Sequence, residues 1–227
     1  MTPEIQRRLK DLRAYFDQAA SSWDASAHTD PAQVRSILAY ARIEPGQCIL
    51  DVGCGTGALI PPLLELTAPD GHVYALDLSP KMLEQCRRKY AFLCEPQSRL
   101  SFLLAPAEEI PLASDVCHGV VCYSSFPHFA DKKSALEEVA RVLRPGGWVL
   151  VAHGTSRAEV NRIHHQIGGP VAGDLLADAE DMAALLGAAG LVNPWVLDAD
   201  DRYVALAWKE GTRAGKQVQQ RNKAKLD

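Results

Sequence analysis

From residue 48 onward, short apolar runs with strand character alternate with helical patterns. The runs are "CILDV" (48–52), "HVYALDL" (72–78), "LSFLLA" (100–105), "VCHGVVCYS" (116–124) and "WVLVAHG" (148–154). Helical patterns between them include "GALIPPLLELTA", "SPKMLEQCRRKYAFL" and "DKKSALEEVARVL" (131–143). Strand, helix, strand at this spacing requires right-handed crossovers, so the sheet is mostly parallel and covered on both faces. Such sheets bind ligands beyond the carboxyl ends of their strands, near the switch in strand order. The turn 53–57 and the loops after strands two to five are therefore expected to converge on one cleft.

Local signals fit this reading. Ser79 is an N-cap residue followed by Pro80 at the first helical position, and Asp131 caps the helix 131–143, which "RPGG" then stops. Pro61 and Pro62 are tolerable only near a first helical turn, where amide donors lack partners anyway. The stretch 157–190 reads as largely helical, ending at Gly190, and "LVNPWVLDA" with "RYVALAWK" forms a closing strand pair. Residues 4–42 are helical in pattern and precede the first strand, which suggests a cap over the cleft. The expected organisation is a helical cap (1–46), a core (47–208) and a basic, solvated tail (209–227). At 227 residues the core is large enough for one domain.

The net charge of −4 supplies no basic field for a phosphate backbone, which weighs against a nucleic-acid partner. The six cysteines (Cys48, Cys54, Cys86, Cys94, Cys117, Cys122) include no C-x-x-C pair, so neither a zinc ribbon nor a dithiol redox motif is indicated. They read as small buried hydrophobes. The opening "MTPEIQRRLKDLRAYF" lacks an apolar leader, and no run approaches the ~20 apolar residues of a membrane span. A cytoplasmic protein, monomeric or homodimeric, is expected.

The stretch "ILDVGCGTGALIP" (49–61) carries the chemical signal. Gly53, Gly55 and Gly57 permit positive φ and bring a ligand against bare backbone. With Ala58 they also satisfy G-x-G-x-x-A, a dinucleotide fingerprint, so the glycines alone are ambiguous. Asp51, two residues before the turn, separates the candidates. A pyrophosphate docks on helix N-terminal amides, and a carboxylate there repels it. S-adenosylmethionine (SAM) has no phosphate and carries an ammonium and a sulfonium, so an adjacent anion attracts it. Asp77, ending the second strand, is placed to accept from the ribose hydroxyls of an adenosine ligand.

With "VYALDLSPKML", "PAEEIPL" and "EEVARVLRPGGWVLVAHG" in order after the glycine turn, the sequence resembles the class I SAM-dependent methyltransferases, closest to the type 11 group of ubiquinone and menaquinone biosynthesis. The resemblance covers roughly residues 15 to 153 and includes "YFDQAASSWD" (15–24), similar to the family's segment that folds over the cofactor. It implies an α/β fold of the Rossmann-like, doubly wound kind: seven strands, the last antiparallel, flanked by helices. It also implies that Asp51 approaches the methionyl ammonium and that Gly53, Cys54, Gly55 and Gly57 form the turn under the ligand. Asp77 takes the ribose, Leu78 and Met82 wall the adenine, Ala107 and Glu108 meet its edge, and Tyr123 and Ser124 line the methyl-donor end. S-adenosylhomocysteine is the implied product. The sequence departs from the family at Pro106, where an acidic or amide residue is common, and at Cys117 and His118, where "FD" usually opens the fourth strand.

The implied reaction is methyl transfer to a small-molecule acceptor by direct displacement. It needs a base only if the acceptor loses a proton. His128, His153 and Tyr123 are the candidates for the acceptor side, with His28, His164 and His165 nearby in the pattern. No histidine spacing recommends a metal, and none is expected. A nicotinamide-dependent oxidoreductase and a non-catalytic SAM-binding protein are the alternative readings.

Overall fold

The computed structural model describes residues 1–26, 29–90, 92 and 99–211. His28, Cys94, Ala91 and Leu93 at the end of the helix expected to run to Leu93, and most of the expected basic tail lie outside them.

Seven strands form one sheet: β1 (Cys48–Val52), β2 (His72–Asp77), β3 (Leu100–Leu104), β4 (Cys117–Tyr123), β5 (Leu143–His153), β6 (Leu191–Ala199) and β7 (Arg202–Lys209). Their spatial order is β3-β2-β1-β4-β5-β7-β6. β1 lies between β2 and β4 and is parallel to both, whereas β7 is antiparallel to β5 and to β6. Strand order reverses at β1, so the crevice outside the carboxyl ends of β1 and β4 is where a ligand belongs.

The period of two along each strand sends alternate residues to opposite cores. Leu50 and Val52 pack on one face with Val120, Cys122 and the helices α6 (Lys132–Val142), α7 (Arg157–Ile167) and α8 (Ala179–Ala188). Ile49, Val73, Ala75 and Val121 face the other way, under α3 (Pro31–Leu38), α4 (Ile60–Leu66) and α5 (Pro80–Tyr90). The cap segment thus divides. Val34, Ile37 and Leu38 of α3 belong to the core, and only α1 (Pro3–Ala19) and α2 (Trp23–Ser26) remain to cover the crevice.

Caps form as their side chains dictate. Ser79 Oγ accepts from the Met82 amide (3.0 Å), and Asp131 Oδ1 accepts from Lys133 and Ser134 (3.1 and 3.2 Å). Each such cap is worth about 1 kcal/mol. Pro61 and Pro62 sit in the first turn of α4, where their missing donors cost nothing. The structure corrects the expected break at "RPGG". Leu143 already pairs with Cys117, and the ladder shifts register before Gly119 pairs with Trp148, so Pro145–Gly147 belong to an irregular start of β5. Between β5 and the edge strand β6, β7 runs through Lys209, whose ammonium donates to the Leu143 carbonyl at 2.7 Å. Lys209 is therefore the last residue of the strand "RYVALAWK", although the sequence pattern starts the tail there.

His118 holds the place of the absent "FD" aspartate. Its Nδ1 accepts from the Cys48 amide at 2.9 Å and so joins β4 to the start of β1. No described helix is long and apolar enough to cross a membrane.

Candidate active site

A cleft of about 600 Å³ opens at the carboxyl ends of β1, β2 and β4. Its floor is Val52, Gly53, Gly55, Leu76 and Asp77, and one wall is Leu78 and Met82. Ala105 to Glu108 form a second wall, Ser124, Ser125, His128 and Phe129 a third, and Leu9, Phe16 and Trp23 the roof. Leu9 and Phe16, seven residues or two turns apart, project from one face of α1, and Trp23 opens α2 beside them.

The glycine turn is shaped by close approach. Gly53 has φ +75°, and a Cβ there would stand 2.4 Å from Ser125 Cβ. Ser125 in turn donates to the Val52 carbonyl at 2.6 Å, fastening the end of β4 to the turn. Gly55 (φ +55°) differs: the nearest group to its missing Cβ is the Trp23 indole nitrogen at 3.8 Å. Open space remains above that backbone. Ser124, with φ +53°, is a non-glycine residue held in the left-handed region at the cleft.

Two carboxyls lie beneath this turn. Asp77 Oδ2 accepts from the Gly55 amide and Oδ1 from the Ser79 amide, both at 2.8 Å. Burial nevertheless pushes its pKa up to about 6, against the pull of those amides. Asp51 sits one layer behind the lining, 1% exposed, and its Oδ2 has no hydrogen-bond partner. Burial first, and then the charge of Asp77, raise it to about 8. Among the described residues no ion pair is recorded for either acid. The floor therefore holds two buried carboxyl groups, with Asp51 kept protonated at pH 7, and a positive charge above them favours the ionised form of both.

The roof is clasped at three points. Asp24 accepts from Thr56 Oγ1 at 2.6 Å and pairs with Lys89, holding α2 on the glycine turn. Asp17 accepts from Ser79 Oγ at 2.5 Å. Arg8 forks to the Pro170 carbonyl and to Asp174 Oδ1.

His128 is carried by a 3-10 turn, Phe126–His128, at the mouth of β4. Its Nδ1 lies 2.8 Å from Asp174 Oδ2, and its ring meets Phe16 edge-on at 5.1 Å. Burial lowers its pKa more than Asp174 raises it, which leaves the imidazole neutral at pH 7. His153, at the end of β5, is buried with Nε2 unpartnered, and burial depresses it to about 3. His164 Nδ1 lies 2.5 Å from the Asp174 carbonyl, and His165 is exposed.

Of the residues singled out from the sequence, Gly53, Gly55, Asp77, Leu78, Met82, Ala107, Glu108, Ser124 and His128 line the cleft. Glu108 reaches it with Oε1 already accepting from the Asp131 amide at 2.9 Å. Cys54 and Gly57 turn away from it: the Cys54 side chain packs in the second core, and the Gly57 Cα faces Cys86 and Tyr90. Tyr123 faces Gly154 on the opposite side of the sheet, its hydroxyl 3.0 Å from where a Cβ of Gly154 would stand, and His153 lies behind the lining. Sequence reasoning passed over Leu9, Arg8, Ser125 and Asp174. The heptad spacing of Leu9 and Phe16 on α1 was a usable signal. Asp174 had none, because only the packing of the segment after α7 brings it to His128.

Residues 50–151 match the family model described as "Methyltransferase domain". Among curated proteins, the chain is similar to a demethylmenaquinone methyltransferase of Symbiobacterium thermophilum, 34% identical over 64% of this chain and 59% of that protein. The chain spans between 27% and 65% of the length of the curated relatives it matches. Among solved structures, an Aquifex aeolicus SAM-dependent methyltransferase shares the fold, with TM-score 0.65 and 19% identity over 86% of this chain and 97% of that one. So does a Haemonchus contortus phosphoethanolamine N-methyltransferase in complex with SAM, with TM-score 0.69 and 17% identity over 88% and 60%.

Proposed function

We propose that the chain, whose residues 50–151 match the methyltransferase-domain family, is a SAM-dependent methyltransferase that transfers a methyl group from SAM to a small-molecule acceptor bound under α1. One observation carries the reading: a buried carboxyl pair, Asp51 and Asp77, without a recorded cation, beneath a glycine turn open to a largely apolar cleft. A cationic nucleoside fits that floor, and a pyrophosphate does not.

When bound, SAM supplies a methyl whose carbon–sulfur bond breaks with its electron pair left on sulfur, as a lone pair of the acceptor bonds to the carbon. The protein's own part is binding and alignment, which can lower the barrier by ~7–11 kcal/mol. In this reading Gly55 offers bare backbone, and Asp77 edges the cleft where ribose hydroxyls arrive. Asp51 acts from behind the turn, through a low-dielectric layer, on the positive charge above it. Leu78 and Met82 form an apolar wall for the base, beside Ala107 and Glu108. Leu9, Phe16 and Trp23 close the acceptor end and exclude water.

Calorimetric titration with SAM, S-adenosylhomocysteine and NAD tests the cofactor. Micromolar SAM binding with no NAD binding is expected, and the reverse preference overturns the proposal. Labelled SAM with cell extract then tests turnover. Tight binding without any methylated product would leave a SAM-binding protein in place of an enzyme.

A further inference from the structure

Asp174 is the hub of a buried polar cluster that the methyl-donor site does not use. Its side chain is 8% exposed. One carboxylate oxygen meets Arg8 of α1 and the other meets His128 Nδ1, while its backbone carbonyl meets His164 Nδ1. An ionised carboxylate and a carbonyl only accept, so both histidines carry their proton on Nδ1. The nitrogen of His128 left to meet a bound molecule is Nε2, on a ring that lines the cleft. Other groups bear on that ring. They are Lys132 of α6, whose ammonium donates to the Pro127 carbonyl at 2.9 Å, His164 of α7, whose ring centre is 4.7 Å away, His153 of β5, and Glu108, which bears on Lys132.

The same carboxylate therefore serves a cation on the roof and an imidazole on the wall. Two cations on one carboxylate oppose each other, so docking of Arg8 and protonation of His128 are anticooperative. We propose that Arg8 and Asp174 are positioning residues that couple closure of α1 to the proton-accepting form of His128, and that the acceptor is a protic nucleophile, carrying O–H or N–H. With Arg8 docked, His128 stands as the neutral Nδ1–H tautomer with Nε2 free to accept. As the acceptor's lone pair takes the methyl, its X–H bond breaks and the proton passes to Nε2. The imidazolium then claims Asp174, and Arg8 releases the roof. This rests on the methyl-transfer reading above.

The test uses the full chain with 15N-labelled histidine, followed by long-range 1H–15N correlation spectra from pH 5 to 8.5. His128→Gln assigns the resonance. Wild type is expected to show the Nδ1–H tautomer. Asp174→Asn should lower the His128 midpoint by about one pH unit and mix the tautomers, whereas Arg8→Gln should raise it by about one unit. Arg8→Lys, which keeps the charge, should return it toward wild type. Amide exchange of residues 3–19 should quicken below the wild-type midpoint and at every pH in Arg8→Gln. An unmoved midpoint in Arg8→Gln overturns the coupling, as does a shift of the same sign in both variants. Should Asp174→Asn fail to fold, the two Arg8 variants decide alone. Absence of SAM binding to the wild type would remove the enzymatic reading, and that result is independent of the imidazole titration.

Discussion

Replacing Asp51 by asparagine should make the ligand-free protein more stable and a poorer SAM binder. The carboxyl is 1% exposed, one of its oxygens is unpartnered, and its pKa rises from the ordinary 3.8 to about 8. At pH 7 the unfolded chain releases that proton and the folded chain keeps it, so folding is opposed by at most about 4 kcal/mol. Asparagine removes the ionisation and leaves a carboxamide that itself needs partners. We expect a net gain of about 1–3 kcal/mol, or roughly 5 °C in Tm for a chain of this size. The pH dependence follows from the sign. A raised folded-state pKa leaves stability intact below 3.8 and erodes it until about 8, so the variant gains on wild type from pH 4 to pH 8 and is the less stable of the two near pH 4, where only the cost of its carboxamide remains.

Thermal scans across that range measure the difference. Titration with SAM measures the other half, where affinity should fall by ~1.5–3 kcal/mol, the range for a contact to a charged group. Wild type should also release a proton on binding SAM near neutrality, visible as a dependence of the calorimetric heat on buffer ionisation enthalpy. A variant less stable than wild type at pH 7.5, by the same margin as at pH 4, would refute the reasoning. It would mean that the free protein already holds an ionised, satisfied carboxylate.

Gly53→Ala sets a Cβ 2.4 Å from Ser125 Cβ at φ +75°; it should cost ~2–4 kcal/mol by chemical denaturation and sharply weaken SAM binding. His153, depressed from 6.5 to about 3, stays neutral while the unfolded chain takes up a proton. Wild type should therefore lose up to ~1.4 kcal/mol per pH unit from 6.5 downward, and urea midpoints at pH 7 and 4.5 should show a shallower loss in His153→Leu. Tyr203→Phe deletes the hydroxyl that donates to the Ala177 carbonyl at 3.1 Å and should lower stability by about 1 kcal/mol in the same assay.

The sheet was legible because its signals are local and mutually consistent. "CILDV" is β1 to the residue, Ser79 and Asp131 cap the helices that follow them, and the prolines of "IPP" lie in a first turn. The floor of the cleft was legible for the same reason: Gly53, Gly55 and Asp77 belong to strand ends, and topology alone brings strand ends together. The wall that carries His128 was not. Tyr123 and Ser124 are adjacent in sequence, but β pleating and the left-handed turn at Ser124 send them to different sides of the sheet. His128 and Asp174 meet across 46 residues through an irregular segment that carries no periodicity. The irregular start of β5 escaped as well, since "RPGG" reads as a stop in any local scheme and only the partner strand shows that pairing continues.

The roof over the crevice comes from residues that precede the first strand, whereas the floor comes from strand ends. On the proposed reading, recognition of the methyl acceptor is written in a different part of the polypeptide from recognition of the donor. Exchanging the leading two helices between relatives would then be a modular graft, redirecting what is modified while the methyl source stays the same.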